Sequence, residues 1–426
     1  MNIPDLYKIY LQYPSVETDT RKLKKNNLFF ALKGPNFNGN EFASKAIEMG
    51  AAKAIIDENK YTIEGKTILV NDVLETLQQL AKHHRKQFTI PVLAITGSNG
   101  KTTTKELIHN VLSTTFKTYT TEGNLNNHIG IPLTILRIKQ DAEFAVIEMG
   151  ANHLGEIASY CKIVSPTYGL ITNCGKAHLE GFGSEEGVRK GKGELYDHLK
   201  ANLGTAFVMW DYPYLREMST GIKELFKYGT IEGDVTGNPI ASETFLEVNF
   251  TKGFSGNIRT SLVGDYNTPN VLAAVAVGKY FSVTEDKIRS SIENYRPSNS
   301  RSQLVEKNSN KIILDAYNAN PSSMKAAIDN FSKTPADNKY LVLGAMAELG
   351  SDSLKEHLDI IKEIEKHNWK EVLLVGGDFN KAPHSFKQFS SPDEAGNWLK
   401  EKHVNDAFIL IKGSRSMKME ILLDYL

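Results

Sequence analysis

The residues of this chain best suited to chemistry lie at Gly97, Ser98, Asn99, Gly100, Lys101, Thr102 and Thr103, inside PVLAITGSNGKTTTKELIHNVL. Glycines let backbone N–H groups approach an anion, and the start of a helix adds its partial positive charge. A lysine in that position reaches terminal phosphates, while the next hydroxyl holds Mg²⁺. Ile95 stands where the standard P-loop has its first glycine, so the motif is the shorter T-G-x-x-G-K-T. The alternative is a glycine-rich turn with an incidental lysine. The flanks favour nucleotide binding: Val92 to Ile95 is a buried-strand run, and Leu107, Ile108, Val111 and Leu112 recur on one helix face.

Other polar residues gather behind apolar runs. Thr121 to Pro132 is dense in amides, including Asn124, Asn126 and Asn127, and reads as a substrate-facing loop. The run Phe144 to Ile147 delivers Glu148, and Tyr168 to Thr172 delivers Asn173, Gly175 and His178. Ligands of open parallel sheets sit at the carboxyl ends of strands, so Glu148 and His178 beside a phosphate loop suggest metal ligation. A helix is expected over Ser184 to Leu199, with Gly187, Gly191 and Gly193 leaving room for close approach. Spacing alone reads its Lys192 as a surface lysine. His83, His84, Arg85 and Lys86 read as the solvated end of a helix begun by Asp72.

The elements that must position these groups fall into three segments of α/β character. A small mixed α/β domain is expected over 1–88, with strands at Asn27 to Leu32 and Lys53 to Ile56 and a helix at Glu41 to Met49. A central P-loop-type ATPase domain with a mainly parallel sheet is expected over 89–296. It includes β-hairpins within Thr236 to Leu262 and an Ala- and Val-rich helix, Val271 to Tyr280, packed on the sheet. A Rossmann-like domain is expected over 297–426. There, strands at Lys311, Tyr340, Glu371 and Ala407 alternate with helices from Ser323, Ser353 and Pro392, and a last helix spans Met417 to Leu426. It has no G-x-G-x-x-G loop and is not read as a dinucleotide site.

Bulk composition narrows the classes. Fifty basic and fifty acidic residues in 426 leave no net charge, which offers nothing to nucleic acid or an anionic membrane. Two cysteines, Cys161 and Cys174, form no CxxC and fit a reducing compartment. No run approaches the length of a membrane span, and the N-terminus lacks a signal-peptide pattern; a cytoplasmic protein is expected.

With the motifs placed, the chain resembles the Mur ligases, ATP-dependent enzymes of bacterial cell-wall synthesis, along nearly its whole length. The resemblance rests on TGSNGKTTTKE, EGNLNNHIGIPLT, IEMGANHLGEI, ITNCGKAHLEGFGS, GKGEL, GDYNTPNVLAA, LDAYNANPSSMKAA, LGAMAELG and IKGSR. GNLNNHIGIPLT and YNANPSSM are more characteristic of the branch that adds D-alanyl-D-alanine, and the DNPR motif of the diaminopimelate-adding branch is absent. Ala345 and Ala347 depart from the family's usual LGDMLELG, and Gly191 stands where Ala is usual.

The resemblance implies ATP and Mg²⁺ as cofactors, with UDP-N-acetylmuramoyl-tripeptide and D-alanyl-D-alanine as partners of a monomeric enzyme. Lys101 would bind the β- and γ-phosphates. Thr102 and Glu148 would ligate one Mg²⁺, and His178 would belong to a second site. Lys192 matches the position the family carbamylates with CO₂, giving an anion that can bridge the metals. Asn270, Arg301 and Asp315 would contact the nucleotide. Asp19, Thr20 and Arg21 would hold the UDP end, and Asn124, Asn126, Asn127, Asn318 and Asn320 would face substrate. Rival readings are another ligase on the same scaffold, such as a folylpolyglutamate-synthase-like enzyme, or a regulatory module that only hydrolyses ATP.

Overall fold

A computed structural model describes residues 1–240, 244–298 and 300–426. Within the expected hairpins, residues 241–243 lie outside the described residues. Among these residues the strands form three main sheets, one per segment, and a short two-stranded ribbon.

The first sheet is parallel, in the order Val16–Glu17, Leu28–Phe30, Lys53–Ile56 and Thr67–Leu69. Phe29, Ala54 and Ile56 pack against the short helix Ala43–Glu48, while Phe30 and Ile55 face the larger core. The alternation of a two-sided strand thus divides Leu28–Phe30 between two cores.

In the helix Val73–Arg85, Asp72 caps the start through Glu75 N–H, and Val73, Leu77 and Leu80 are buried. Its C-terminal end corrects the solvated reading, because His84 and Arg85 are buried. His84 Nδ1 lies 3.0 Å from the Tyr7 hydroxyl, and Nε2 lies 2.8 Å from the Ile138 carbonyl. Arg85 donates to the carbonyls of Val164, Phe88 and Ser165. The helix end therefore fastens the first segment to the second, using partners 54 to 80 residues away in sequence that local charge patterning does not reveal.

The central sheet has nine described strands. Thr118–Thr120, Phe144–Glu148, Val92–Thr96, Tyr168–Ile171, Thr205–Met209, Glu224–Gly229 and Val235–Ile240 run parallel. Phe245–Lys252 and Asn257–Val263 then continue it antiparallel. Val92–Thr96 is buried at every residue, as a strand covered on both faces must be. The helix Thr268–Tyr280 is apolar on all sides because it lies within the core, and Gly278 lets Val111 and Ile288 approach where a Cβ would sit 2.7 and 2.9 Å from them.

The third sheet has the order Gln303–Lys307, Asn310–Asp315, Phe408–Lys412, Lys339–Gly344, Glu371–Val375 and Lys387–Phe389. Five of its strands are parallel, and the edge strand Gln303–Lys307, missed in the sequence, pairs antiparallel with Asn310–Asp315. The expected last helix is instead two 3-10 segments, Arg415–Met417 and Met419–Tyr425, broken at Lys418 by a positive φ of 52°. The expected mixed α/β architecture with parallel-sheet domains is thus present, and no described helix is long and apolar enough to cross a membrane.

Candidate active site

The nucleotide loop sits between the strand Val92–Thr96 and the helix Lys101–Ser113 and borders a cavity of about 810 Å³. Gly100, the residue before the helix, has φ +80°, a conformation that side chains with a Cβ resist. Ser98 donates from Oγ to the Gly175 carbonyl at 2.9 Å, and Asn99 N–H donates to Asn173 Oδ1 at 3.0 Å. The loop is therefore fixed by the neighbouring strand end. Gly97 does not line the cavity; a Cβ there would meet Thr172 Oγ1 at 2.0 Å, so its role is close strand packing. Ser98, Asn99, Gly100, Lys101, Thr102 and Thr103 all line it.

Lys101 folds back on its loop, donating from Nζ to the carbonyls of Gly97 at 2.7 Å and Ser98 at 3.1 Å. Loss of water pushes its pKa below the usual lysine value, and Glu148 pulls the other way. Thr102 donates to Glu148 Oε2 at 2.9 Å, while Asn126 donates to Glu148 Oε1 at 2.7 Å. Glu148 is 1% exposed, so a buried carboxylate links the phosphate loop to the Asn-rich loop. Thr121 reinforces that link: its hydroxyl accepts Glu148 N–H at 3.0 Å, and its carbonyl accepts the buried Lys105 Nζ at 2.8 Å.

The Asn-rich stretch is shorter than expected, because a helix begins at Gly130 and takes in Ile131 and Pro132. Asn124, Asn126 and Asn127 line the cavity. Asn127 also has a structural task, its Oδ1 accepting the N–H groups of Ile129 and Gly130. Asn270 is buried beside the phosphate loop, accepting from Thr104 Oγ1 at 3.0 Å and donating to Asn267 Oδ1 at 2.8 Å.

Lys192 corrects the surface reading. It is 0% exposed on the helix Glu185–Ala201, behind the cavity wall, donating to the Ala151 carbonyl at 2.8 Å. Burial, with Lys101 adding repulsion, lowers its pKa to about 7. Gly191 leaves space for the Phe182 ring, over which the Lys192 ammonium sits at 5.0 Å.

The third segment closes the far side. Asn320 donates from Nδ2 to Asn99 Oδ1 at 2.8 Å and caps the helix Pro321–Lys333 through Ser323. Lys176 N–H meets Ser322 Oγ at 3.0 Å, and Lys176 Nζ pairs with Glu356 at 2.6 Å. Arg301 stacks 3.6 Å from the Tyr317 ring, and Asp315 accepts from the buried Lys412 at 2.6 Å. Asn318 lines the cavity and offers its carbonyl to Lys412. His178, at φ +53°, has its Nδ1 2.6 Å from Glu348 Oε2.

Of the four residues expected around metals, Thr102 and Glu148 meet, whereas His178 and Lys192 contact other groups. Asp19, Thr20 and Arg21 form a 3-10 turn on the first segment, with Asp19 capping Arg21 N–H, and none lines this cavity. Sequence reasoning missed Tyr317, Glu348 and Lys412. The stretches LDAYNANPSSMKAA, LGAMAELG and IKGSR held them, but nothing local says that strand ends almost 100 residues apart converge.

Comparison with known proteins places this geometry. Residues 12–85 match the Mur ligase family catalytic domain, 95–278 the Mur ligase middle domain, and 300–415 the Mur ligase glutamate ligase domain. The chain belongs to the Mur ligase family. It is 35% identical to the UDP-N-acetylmuramoyl-tripeptide–D-alanyl-D-alanine ligase of Bacillus subtilis, over 98% of this chain and 96% of that protein. A MurF crystal structure from Acinetobacter baumannii superposes with a TM-score of 0.87 at 31% identity, covering 96% of this chain and 92% of that one. MurF ligase of Thermotoga maritima, solved in complex with ADP, also gives 0.87, at 27% identity and 97% coverage of both chains.

Proposed function

We infer that this protein joins D-alanyl-D-alanine to UDP-N-acetylmuramoyl-tripeptide, using ATP to activate the tripeptide carboxylate and releasing ADP and phosphate. The observation that carries this reading is one cavity bounded by the phosphate loop, the Asn-rich loop and the third segment, in a chain related over its full length to ligases of that name. Division into domains at 1–88, 89–296 and 297–426 is part of this reading, and the presence of one main sheet in each segment supports it.

A carboxylate is a poor electrophile, and transfer of the γ-phosphoryl group makes it an acyl phosphate that an amine attacks. Bringing an anionic acid to a triphosphate requires cations, and Lys101 stands at the loop for that purpose. The Glu148 carboxylate and Thr102 hydroxyl are hard oxygen donors 2.9 Å apart, a set that fits Mg²⁺. The metal would neutralise phosphate charge, with His178 offering its remaining ring nitrogen to a second ion. Asn270, Arg301 and Asp315 are assigned to the nucleotide, with Asn124, Asn126, Asn127, Asn318 and Asn320 facing the substrates.

Lys192 has the burial and lowered pKa that a CO₂-reactive amine needs, and carbamylation would require its ammonium to leave the Ala151 carbonyl. Docking of the third segment through Asn320, Ser322 and Glu356 shields the acyl phosphate from water. Asp19, Thr20 and Arg21 are assigned to the UDP end, outside this cavity. A monomer is the proposed state. The zero net charge supports no nucleic-acid partner, and nucleotide-linked substrates support a cytoplasmic location.

The test is phosphate release from ATP with the UDP-linked tripeptide, with and without the dipeptide, followed by mass measurement of the product. The expected product gains one dipeptide less one water. ATP hydrolysis indifferent to both substrates refutes the reading in favour of a regulatory module.

A further inference from the structure

Four carboxylates border the cavity among the described residues, and three already have close polar partners. Glu148 accepts from Thr102 and Asn126, and Asp315 from Lys412 and Ser302 N–H. Glu156 accepts the N–H groups of Asn152 and His153. Glu348 differs: its side chain is 47% exposed, and its one close side-chain partner is His178.

Its backbone is held against its own preference. Glu348 has φ +61° and His178, facing it, φ +53°. Such conformations cost free energy in residues other than glycine and persist where the surroundings enforce them. The turn is enforced on both sides: Met346 N–H donates to the buried His357, and the Ala345 carbonyl accepts from Ser414 Oγ. The Glu348 carbonyl accepts Glu180 N–H at 3.3 Å from the central segment. A glutamate side chain is ordinarily an anion at neutral pH.

The nucleophile of an amide ligase arrives as an ammonium ion, since α-amino groups have pKa values of about 7.7–8.0. We propose that Glu348 receives the α-ammonium of the incoming dipeptide and positions its nitrogen toward the activated carboxyl group, where it attacks after one proton passes to solvent; the acyl C–O bond to phosphate then breaks, and orthophosphate and a second proton leave. This rests on the ligase reading above. Glu348 comes from the third segment and His178 from the central one, so the acceptor subsite is complete only when the two are docked.

Hydroxylamine separates this role from a simple clasp between segments. It is an uncharged nucleophile at neutral pH and needs no carboxylate to receive it. Its nitrogen forms the C–N bond, the acyl C–O bond to phosphate breaks, and orthophosphate and one proton leave. Glu348→Gln preserves size and is expected to raise KM for D-alanyl-D-alanine roughly 10- to 100-fold, as for loss of a hydrogen bond to a charged group. Hydroxamate formation from ATP and the UDP-linked tripeptide should fall much less than peptide formation. Glu348→Asp, which keeps the charge, should raise KM less. Parallel loss of peptide and hydroxamate in Glu348→Gln, or an unchanged dipeptide KM, overturns the assignment. Wild-type protein that makes neither product overturns the ligase reading and this assignment with it.

Discussion

Gly100→Ala tests the phosphate loop most directly, because the structure supplies both parts of its cost. At φ +80° an L-residue is strained by about 1–2 kcal/mol. The new Cβ would lie 2.6 Å from Asn270 Oδ1, too close to remain. A side-chain oxygen usually yields, but this one is buried and tied, accepting from Thr104 while its amide donates to Asn267. Breaking that chain adds about 0.5–1.5 kcal/mol for a hydrogen bond. The loss of freedom in the unfolded chain returns about 0.4–1 kcal/mol. The net cost is about 2 kcal/mol, or roughly 30-fold faster local opening.

Hydrogen exchange of the amides in Lys101–Ser113 measures this opening without requiring the three segments to unfold together. Asn270→Ala in the same chain removes the clash but not the backbone strain. The double-mutant cycle should therefore show a coupling of about 0.5–1.5 kcal/mol. Exchange within threefold of wild type, or no coupling with Asn270, refutes this account of the loop.

Lys101→Ala should lower turnover by about 10²–10³, the scale of a key charge-stabilising contact, and near-normal turnover removes Lys101 from the assigned role. Lys192→Ala should be inactive and partly restored by a short carboxylic acid; full activity without the acid refutes the carbamate. His84 gives a pH prediction: burial lowers its folded pKa, so its contribution is complete above the unfolded value near 6.5 and lost as pH falls from there through the folded pKa. Exchange in Ile3–Gln12 should accelerate over that window by at most about 1.4 kcal/mol per pH unit, and His84→Gln should flatten the dependence.

Local order was legible where one stretch of chain carries the physics. The run Val92 to Ile95, the glycine turn and the periodic helix after it are set by neighbours within a few residues, and they fold as read. So does the cap at Asp72, since capping is a contact across three residues. Where partners lie far apart, patterning misleads. His84 and Arg85 look like a solvated basic end, yet tertiary contacts with Tyr7, Ile138 and Val164 bury them. Lys192 looks like a surface lysine, and only the packing of Phe182 and Ala151 encloses it and lowers its pKa.

By itself, then, the amino-acid order determined a phosphate loop between strand and helix and, through its motifs, membership of a ligase family. It also put Glu148 at a strand end, whereas His178 lies beyond its strand, just before the helix Leu179–Phe182. Tertiary structure alone decided that Glu148 would bridge Thr102 and Asn126, that Asp315 would pair with Lys412, and that Glu348 would face His178 across two segments. The reason is range: a turn or cap is fixed by local backbone geometry, whereas desolvation and charge pairing depend on whatever the fold brings within a few ångströms.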